Sequence, residues 1–234
     1  MSSARRAGGA QRIPSPWGRR DAGRPIWDGR SADFSLAPVI ERVRTYQEVL
    51  AELPTPRTDE RVSAVMVLLA EGPAGAEVLL TRRTQTLNNH KGEISFPGGR
   101  VDADEGLLEA ARREAWEEVG VDPSAVTVVG RLSPLSTFVS RSFIVPVVGV
   151  VSSHPSLVLH EVEVDRAFWL PLAELVRDDT FSWEWWNFTG EDDVERAMFF
   201  FHLDDETVWG ATARMLHELL CVVLGADHHS VTRP

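Results

Sequence analysis

The sequence predicts an α/β fold. Apolar runs of strand length, such as residues 62–70 and 143–151, are bounded by Gly, Pro, Asp and Ser. Other stretches carry apolar residues three and four apart, the pattern of amphipathic helices, and they do not alternate strictly with the strands. The 234 residues are 43% hydrophobic, which is enough for one large domain with a sizeable core.

The helices and strands are predicted in the following order. A helix covers residues 36–53 and ends at the prolines of residues 54–56. Strands at 62–70 and 77–82 flank a Gly-Pro-Ala-Gly turn. The later elements are a central helix, strands at 126–132, 143–151 and 167–170, a short helix at 171–176, a strand at 198–203 and a helix at 206–224.

Both ends of the chain are predicted to be tails. The first 30 residues hold seven arginines and two aspartates among many Gly, Pro and Ser, with few apolar anchors. We therefore expect a disordered tail at residues 1–35, a single domain at 36–225 and a C-terminal tail at 226–234. An arginine-rich start can also signal organelle import, but the prolines, the glycines and the lack of an amphipathic pattern argue against it.

Charge and cysteine content exclude several kinds of partner. The first 30 residues have a net charge of +5, so the remainder carries −16 of the overall −11. A domain this acidic is not built to bind nucleic acid along its surface. No apolar stretch approaches the ~18 residues that span a bilayer, and the single cysteine, Cys221, cannot form an internal disulfide. We expect a cytoplasmic protein, and a homodimer is left open.

The most informative stretch runs from Gly99 to Val121. Glu114, Glu117 and Glu118 are three and four residues apart, so a helix places them on one face. Like charges so placed destabilise a bare helix by roughly 0.2–0.5 kcal/mol per pair, and a cation between them would reverse that effect. Oxygen-only ligands select Mg²⁺, Mn²⁺ or Ca²⁺ over zinc. The flanking features are candidate caps at Asp102 and Asp104, an apolar stripe at Leu108, Ala111, Ala115 and Val119, and a C-terminal glycine at Gly120.

This stretch resembles the Nudix box. The match consists of Gly99, Glu105 and residues 113–121, and its one soft departure is Ala115, where the family usually carries a larger aliphatic residue. The resemblance implies a Nudix-type α/β/α sandwich with a mixed β-sheet, and a hydrolase of small-molecule substrates in which a nucleoside diphosphate is linked to another moiety. The implied roles are Mg²⁺ or Mn²⁺ binding by Glu114, Glu117, Glu118 and Gly99, catalysis by Glu117, Glu114 and Arg113, orientation of a glutamate by Arg113, and support of the site by Glu105.

A second stretch resembles the signature of the coenzyme A pyrophosphatase branch of that family. It reads Leu-Leu-Thr-Arg-Arg-Thr at residues 79–84 and ends in Phe-Pro-Gly-Gly at 96–99. Thr84 replaces a serine and keeps the hydroxyl, whereas Asn88 replaces an arginine and removes a phosphate-pairing charge. Coenzyme A carries a 3′-phosphate besides its diphosphate, and arginine forks suit phosphate oxygens. The substrate-binding candidates are Arg82, Arg83, Lys91, Gly98 and Gly99.

A loop after the box offers a further catalytic carboxylate. Many Nudix enzymes take an extra glutamate from such a loop as a base or metal ligand, and Glu161 fits that position better than Glu163. The alternative is a solvated glutamate without a role.

Farther along, the aromatic-rich segment 181–201 is predicted to form the core of a hairpin, a dimer contact, or a wall for the adenine or pantetheine arm of a substrate.

Three functions follow from the resemblance. The first is hydrolysis of coenzyme A or acyl-coenzyme A to 3′,5′-ADP and 4′-(acyl)phosphopantetheine. The second is cleavage of another substrate, such as ADP-ribose, a dinucleotide such as NADH, or a modified nucleotide. The third is a ligand-binding or regulatory module that has kept the fold and lost catalysis. The four intact glutamates of the box argue against the third function, because such a module does not need them.

Overall fold

The computed structural model describes residues 6–50, 54–87, 90–137, 141–188 and 195–228. It divides into two compact units, one formed by Asp33–Leu172 and the other by Met1–Ala32 together with Ala173–Pro234. None of the helices in the described ranges is both long enough and apolar enough to cross a membrane.

The elements have the following bounds. The strands are β1 (Gly18–Asp21), β2 (Arg61–Gly72), β3 (Gly75–Arg83), β4 (Ile94–Ser95), β5 (Gly98–Arg100), β6 (Thr127–Arg131), β7 (Leu135–Ser136), β8 (Ser142–Val150), β9 (Val164–Pro171), β10 (Phe181–Asn187), β11 (Glu195–His202) and β12 (Thr207–Trp209). The helices are α1 (Leu36–Val49), α2 (Leu107–Val119), α3 (Leu172–Leu175) and α4 (Gly210–Leu224), with a 3₁₀ turn at Pro123–Ala125.

The unit Asp33–Leu172 is built on an eight-stranded mixed sheet. Its main strand order is β4-β3-β2-β8-β6, and β9, β5 and β7 pair with β3, β2 and β8 respectively. The central strands β2 and β8 run parallel, whereas the other paired strands of this sheet run antiparallel. The predicted mixed sheet is therefore confirmed.

Strand β2 is buried on both of its faces. Ala64, Met66 and Leu68 belong to a core cluster with the apolar face of α2. The side chains of a strand alternate between faces, and Val67 and Leu69 on the opposite face are also fully buried. Helix α1 contacts β2, β3 and β6, and it covers this second face. The sheet therefore lies between two helices, as the resemblance implies.

The second unit contains a four-stranded antiparallel sheet in the order β1-β10-β11-β12. Helix α4 contacts β11 and β12. Aromatic side chains fill the space between this helix and the sheet, and the rings of Phe199 and His217 stack with their centroids 4.0 Å apart. The buried aromatic residues of the segment 181–201 are Phe181, Trp183, Trp186, Phe199, Phe200 and Phe201. They support the hairpin-core interpretation, although residues 189–194 of the segment lie outside the described ranges.

The N-terminal region differs from the predicted disordered tail. Residues 18–21 form β1, which pairs with β10. Trp27 is 3% exposed, and its ring lies 4.6 Å from that of Phe181. The prediction was wrong here because it counted few apolar anchors, whereas one buried tryptophan and one strand pairing hold the segment. His228, in the predicted C-terminal tail, is also buried.

Three predicted element boundaries also shift. The helix predicted at 206–224 begins only at Gly210, because residues 207–209 form β12. The strand predicted at 198–203 extends back to Glu195. The first helix ends at Val49, and residues 51–53 of its predicted range are not among those described.

Candidate active site

Helix α2 presents the glutamates from a firmly packed position. Its buried face carries small side chains, among them Ala110, Ala111 and Ala115, which let the helix lie close to β2 and β5. At its start, the Gly106 N–H donates to Glu109 Oε2 at 2.7 Å, so the cap does not use the predicted Asp102 or Asp104. At its end, Gly120 takes the left-handed conformation with φ 73°, which suits glycine.

The three box glutamates line one cleft of about 280 Å³. The lining residues are Glu114, Glu117, Glu118, His160 and Glu163. Four carboxylates in one concave site give a strongly negative local potential. The arrangement favours a cation, or a cation together with an anionic ligand.

Arg113 connects the glutamates on the helix side of the cleft. Its guanidinium binds both carboxylate oxygens of Glu105, at 2.9 and 3.0 Å. Its Nη1 also donates to Glu114 Oε1 and to Glu117 Oε2, at 2.9 Å each. The hydrogen bond from Arg113 lowers the pKa of the Glu105 carboxyl. These contacts fix three carboxylates relative to one another.

Glu118 is the most buried member of the cleft. It is 3% exposed, and its Oε2 accepts no hydrogen bond from the described residues. Burial raises the pKa of the Glu118 carboxyl to about 8, and the Arg83 guanidinium, 3.8 Å from Oε1, opposes this rise. Burial also raises the pKa of Glu114. Burying a carboxylate oxygen without a hydrogen-bond partner is energetically unfavourable, so a ligand that bound Glu118 Oε2 would stabilise the site.

The donor set fits a hard divalent cation. Among the described residues, no three acidic, histidine or cysteine side chains stand in the arrangement of a preformed metal site, and Arg113 holds two of the glutamates. However, the predicted ligands offer only oxygen atoms, and Glu118 Oε2 is unsatisfied. A Cβ added at Gly99 would come within 2.3 Å of Glu114 Oε1. Glycine therefore keeps the backbone of β5 accessible beside the glutamates.

The structure separates the predicted cationic substrate contacts. Arg83 reaches the cleft through Glu118. Arg82, its neighbour, donates to Asp165 Oδ1 at 2.8 Å instead. Lys91 is exposed and does not line the cleft. Asn88, where the chain departs from the coenzyme A signature, lies outside the described residues.

The loop glutamate that lines the cleft is Glu163, whereas the predicted Glu161 is not among the lining residues. Glu161 is exposed and is not among the lining residues, whereas Glu163 lines the cleft with its carboxylate 3.7 Å from His160 Nδ1. The strand after this loop was predicted to begin at residue 167, whereas β9 begins at Val164. A strand predicted from residue 164 would have placed Glu163 directly before its first residue. His160 was not predicted to be a site residue, because a single histidine in a loop forms no recognisable sequence pattern.

Comparison with known proteins agrees with the motif. The NUDIX domain family matches residues 59–189. "Nudix hydrolase 22, chloroplastic" of Arabidopsis thaliana is 35% identical over 189 residues, which cover 76% of this chain and 59% of that protein. "Uncharacterized Nudix hydrolase NudL" of Photorhabdus laumondii is 31% identical over 188 residues, which cover 80% of this chain and 96% of that protein.

A solved structure also aligns with part of the chain. It is a Nudix hydrolase from M. smegmatis, RenU, with a TM-score of 0.43 and 22% identity over 50% of this chain and 73% of that one. The sequence relationships already cover most of the chain and include the box that builds the cleft. The chain belongs to the Nudix hydrolase family.

Proposed function

We propose that the chain hydrolyses the diphosphate of coenzyme A or acyl-coenzyme A, releasing 3′,5′-ADP and 4′-(acyl)phosphopantetheine. The observation that carries the hydrolytic part of this proposal is the cleft, which is lined by four glutamates. One of their oxygens, Glu118 Oε2, is buried and accepts no hydrogen bond from the residues that the structure describes. The substrate part rests on the signature before the box, at residues 79–84 and 96–99.

Glu114, Glu117 and Glu118 would hold Mg²⁺ or Mn²⁺, with the Gly99 backbone beside them. When bound, the metal neutralises the diphosphate and makes an attacking water more acidic. Arg113 holds Glu114 and Glu117 in place by its hydrogen bonds. The absence of a side chain at Gly99 lets the substrate phosphates approach the glutamates.

Glu163 is the proposed general base. It lines the same cleft but comes from the loop before β9, so it is not one of the helix glutamates that Arg113 binds. The attacking water loses its proton to the Glu163 carboxylate as its oxygen bonds to phosphorus. The anhydride bond from that phosphorus to the bridging oxygen breaks, and the leaving phosphate keeps the bonding electrons.

A second candidate is a diphosphate substrate without a 3′-phosphate, such as ADP-ribose or NADH. Two observations favour it. The chain has Asn88 where the coenzyme A signature has an arginine, and Arg82 pairs with Asp165 instead of facing the cleft. Both observations reduce the positive charge that is available to bind a 3′-phosphate.

Product analysis separates these candidates. The purified chain is incubated with coenzyme A and Mg²⁺ or Mn²⁺, and in parallel with ADP-ribose and NADH. Release of 3′,5′-ADP from coenzyme A supports the proposal. Cleavage of ADP-ribose or NADH alone overturns the substrate and keeps the diphosphatase chemistry, and hydrolysis of none of them favours a binding module.

Glutamate variants test the assigned chemistry. Glu117→Gln is expected to abolish turnover with the fold intact, whereas Glu109→Gln, on the same helix but bonded to the Gly106 N–H, keeps it. Full activity of Glu117→Gln would contradict the metal assignment.

Glu163→Gln should lower kcat by about 10²- to 10⁴-fold, the range for a general base. Glu161→Gln should lower it far less, and the reverse order would restore Glu161 as the base.

We also propose a cytoplasmic location. The single cysteine, Cys221, is buried in α4 as a free thiol, which suits a reducing compartment. Fractionation of the source cells tests this, and recovery of the protein outside the cytosolic fraction would contradict it.

A further inference from the structure

Thr84 follows β3 directly and contacts the loop that carries Glu163. The side chain of Thr84 is buried. Its backbone N–H donates to the Glu163 carbonyl at 2.9 Å. Its hydroxyl donates to the Val162 carbonyl at 2.8 Å and lies 2.9 Å from the Thr86 hydroxyl. Two consecutive loop carbonyls are therefore held by one residue.

The same loop is held from the other side by α2. The His160 N–H donates to the Glu118 carbonyl at 2.9 Å. The His160 carbonyl in turn accepts from the N–H groups of Glu163 and Val164, both at 2.9 Å. Residues 160–164 are thus fixed between α2, which presents the box glutamates, and Thr84.

The strand pairing explains why Thr84 meets this loop. The register of β3 against β9 shifts between Arg82 and Arg83, and Arg83 pairs with Val164, the first residue of β9. Such irregularities redirect the residues that follow them. Thr84 therefore lies beside Glu163, just before β9 begins.

We infer that Thr84 is a positioning residue whose hydroxyl and backbone amide hold the loop that presents Glu163 to the cleft. The inference rests on the proposed function, in which Glu163 is the base. Thr84 does not line the cleft, so it acts through Glu163 and not on the substrate.

Substitution at position 84 tests the inference. Thr84→Val keeps the shape and removes the hydroxyl, and it is expected to lower kcat by about 10- to 100-fold, the usual effect of losing a supporting hydrogen bond, with KM within about twofold. Thr84→Ser is expected to keep the wild-type kcat. In the Glu163→Gln background, Thr84→Val should cause no further loss, because two residues that act through one contact are not additive.

Thr137→Val is the matched control. Its hydroxyl also donates to a backbone carbonyl of the same unit, that of Ser142 at 3.2 Å, and accepts from the Ser142 N–H at 2.9 Å, so these hydrogen bonds anchor a different segment. A wild-type kcat in Thr84→Val, an equal loss in Thr137→Val, or full additivity with Glu163→Gln would overturn the inference.

Hydrogen exchange tests the loop without relying on turnover. Thr84→Val should speed exchange of the backbone amides in residues 160–164, whereas Thr137→Val and Thr84→Ser should not. Unchanged exchange in Thr84→Val overturns the inference even if the enzyme is active. If the wild type hydrolyses no substrate but exchange rises as expected, the proposed function fails and the contact between Thr84 and the loop stands. Thr84→Ala replaces Thr84→Val in both measurements if the valine variant does not fold.

Discussion

The adjacent glycines Gly98 and Gly99 have different reasons to be glycine. A Cβ at Gly98 would lie 2.6 Å from both the Ala64 carbonyl oxygen and the Val65 Cα, which are backbone atoms of the neighbouring strand. The three atoms nearest to a Cβ at Gly99 all belong to the Glu114 carboxyl group, with Oε1 at 2.3 Å. Backbone atoms in a sheet cannot move aside, whereas the end of a glutamate side chain can.

This contrast predicts opposite outcomes for two alanine variants. Gly98→Ala should destabilise the fold by about 1–3 kcal/mol, the usual cost of overpacking. Gly99→Ala should leave the unfolding free energy nearly unchanged and weaken Mn²⁺ binding by about 10- to 100-fold, because it displaces a metal ligand. Urea unfolding and Mn²⁺ titration measure the two effects, and a destabilised Gly99→Ala with normal Mn²⁺ affinity would contradict the prediction.

The sequence predicted the residues of the cleft unevenly. Helical spacing alone brings Glu114, Glu117 and Glu118 to one face, and they do line one cleft. Glu163 and His160 reach the same cleft through strand pairing and loop hydrogen bonds between residues far apart in the sequence. No local pattern contains that information, so the sequence favoured Glu161, whereas Glu163 is the loop glutamate that lines the cleft.

At the scale of elements, the end of α2 is joined to the segment before β9. The Val158 N–H donates to the Val119 carbonyl at 3.0 Å, close to Gly120. A Cβ at Gly120 would approach Val158 Cβ at 3.0 Å and its nitrogen at 3.1 Å. The left-handed glycine therefore ends the helix and also makes room for the segment at Val158 that leads to His160.

Gly120→Ala should consequently affect both stability and catalysis. A non-glycine residue in this conformation costs about 1–2 kcal/mol, and crowding against Val158 adds to that cost. Gly225 ends α4 with φ 64°, but its nearest neighbour to an added Cβ is Arg30 Nη1 at 3.8 Å. Gly225→Ala should therefore show the backbone cost alone and keep normal kcat. Equal kcat values for the two variants would show that the segment at Val158 does not influence the cleft.

Element prediction succeeded where the pattern is local. The long buried strands and α2 follow from apolar runs and helical spacing. Strand β1 was missed because its four residues are all exposed and polar or glycine, and only its pairing with β10 makes it a strand. Its formation depends on a partner more than 160 positions away, which no window of sequence reveals.

At the scale of the whole molecule, the aromatic core of the second unit limits the stability of the protein in acid. Burial lowers the pKa of the His217 imidazole from its ordinary value of 6.5 to about 3. The ring lies against the rings of Phe199, Phe181 and Trp27, and these apolar surroundings disfavour the charged imidazolium. Between these two pH values the unfolded chain binds a proton that the folded chain does not. The stability from a neutral His217 is therefore fully present above pH 6.5 and is lost as the pH falls towards 3.

This linkage predicts a pH dependence of the unfolding free energy that a variant without the imidazole should lose in part. In the metal-free protein, His217 should contribute a fall in unfolding free energy of up to about 1.4 kcal/mol per pH unit below pH 6. His217→Leu removes the titrating group, so its stability should fall less steeply than that of the wild type in urea unfolding at pH 7, 6, 5 and 4. Phe199→Leu loses the same ring contact but no titrating group, so its curve should run parallel to the wild type at lower stability. Of the two leucine variants, only His217→Leu removes a titrating group. If its unfolding free energy falls with pH as steeply as that of the wild type, acid must destabilise the protein through other groups.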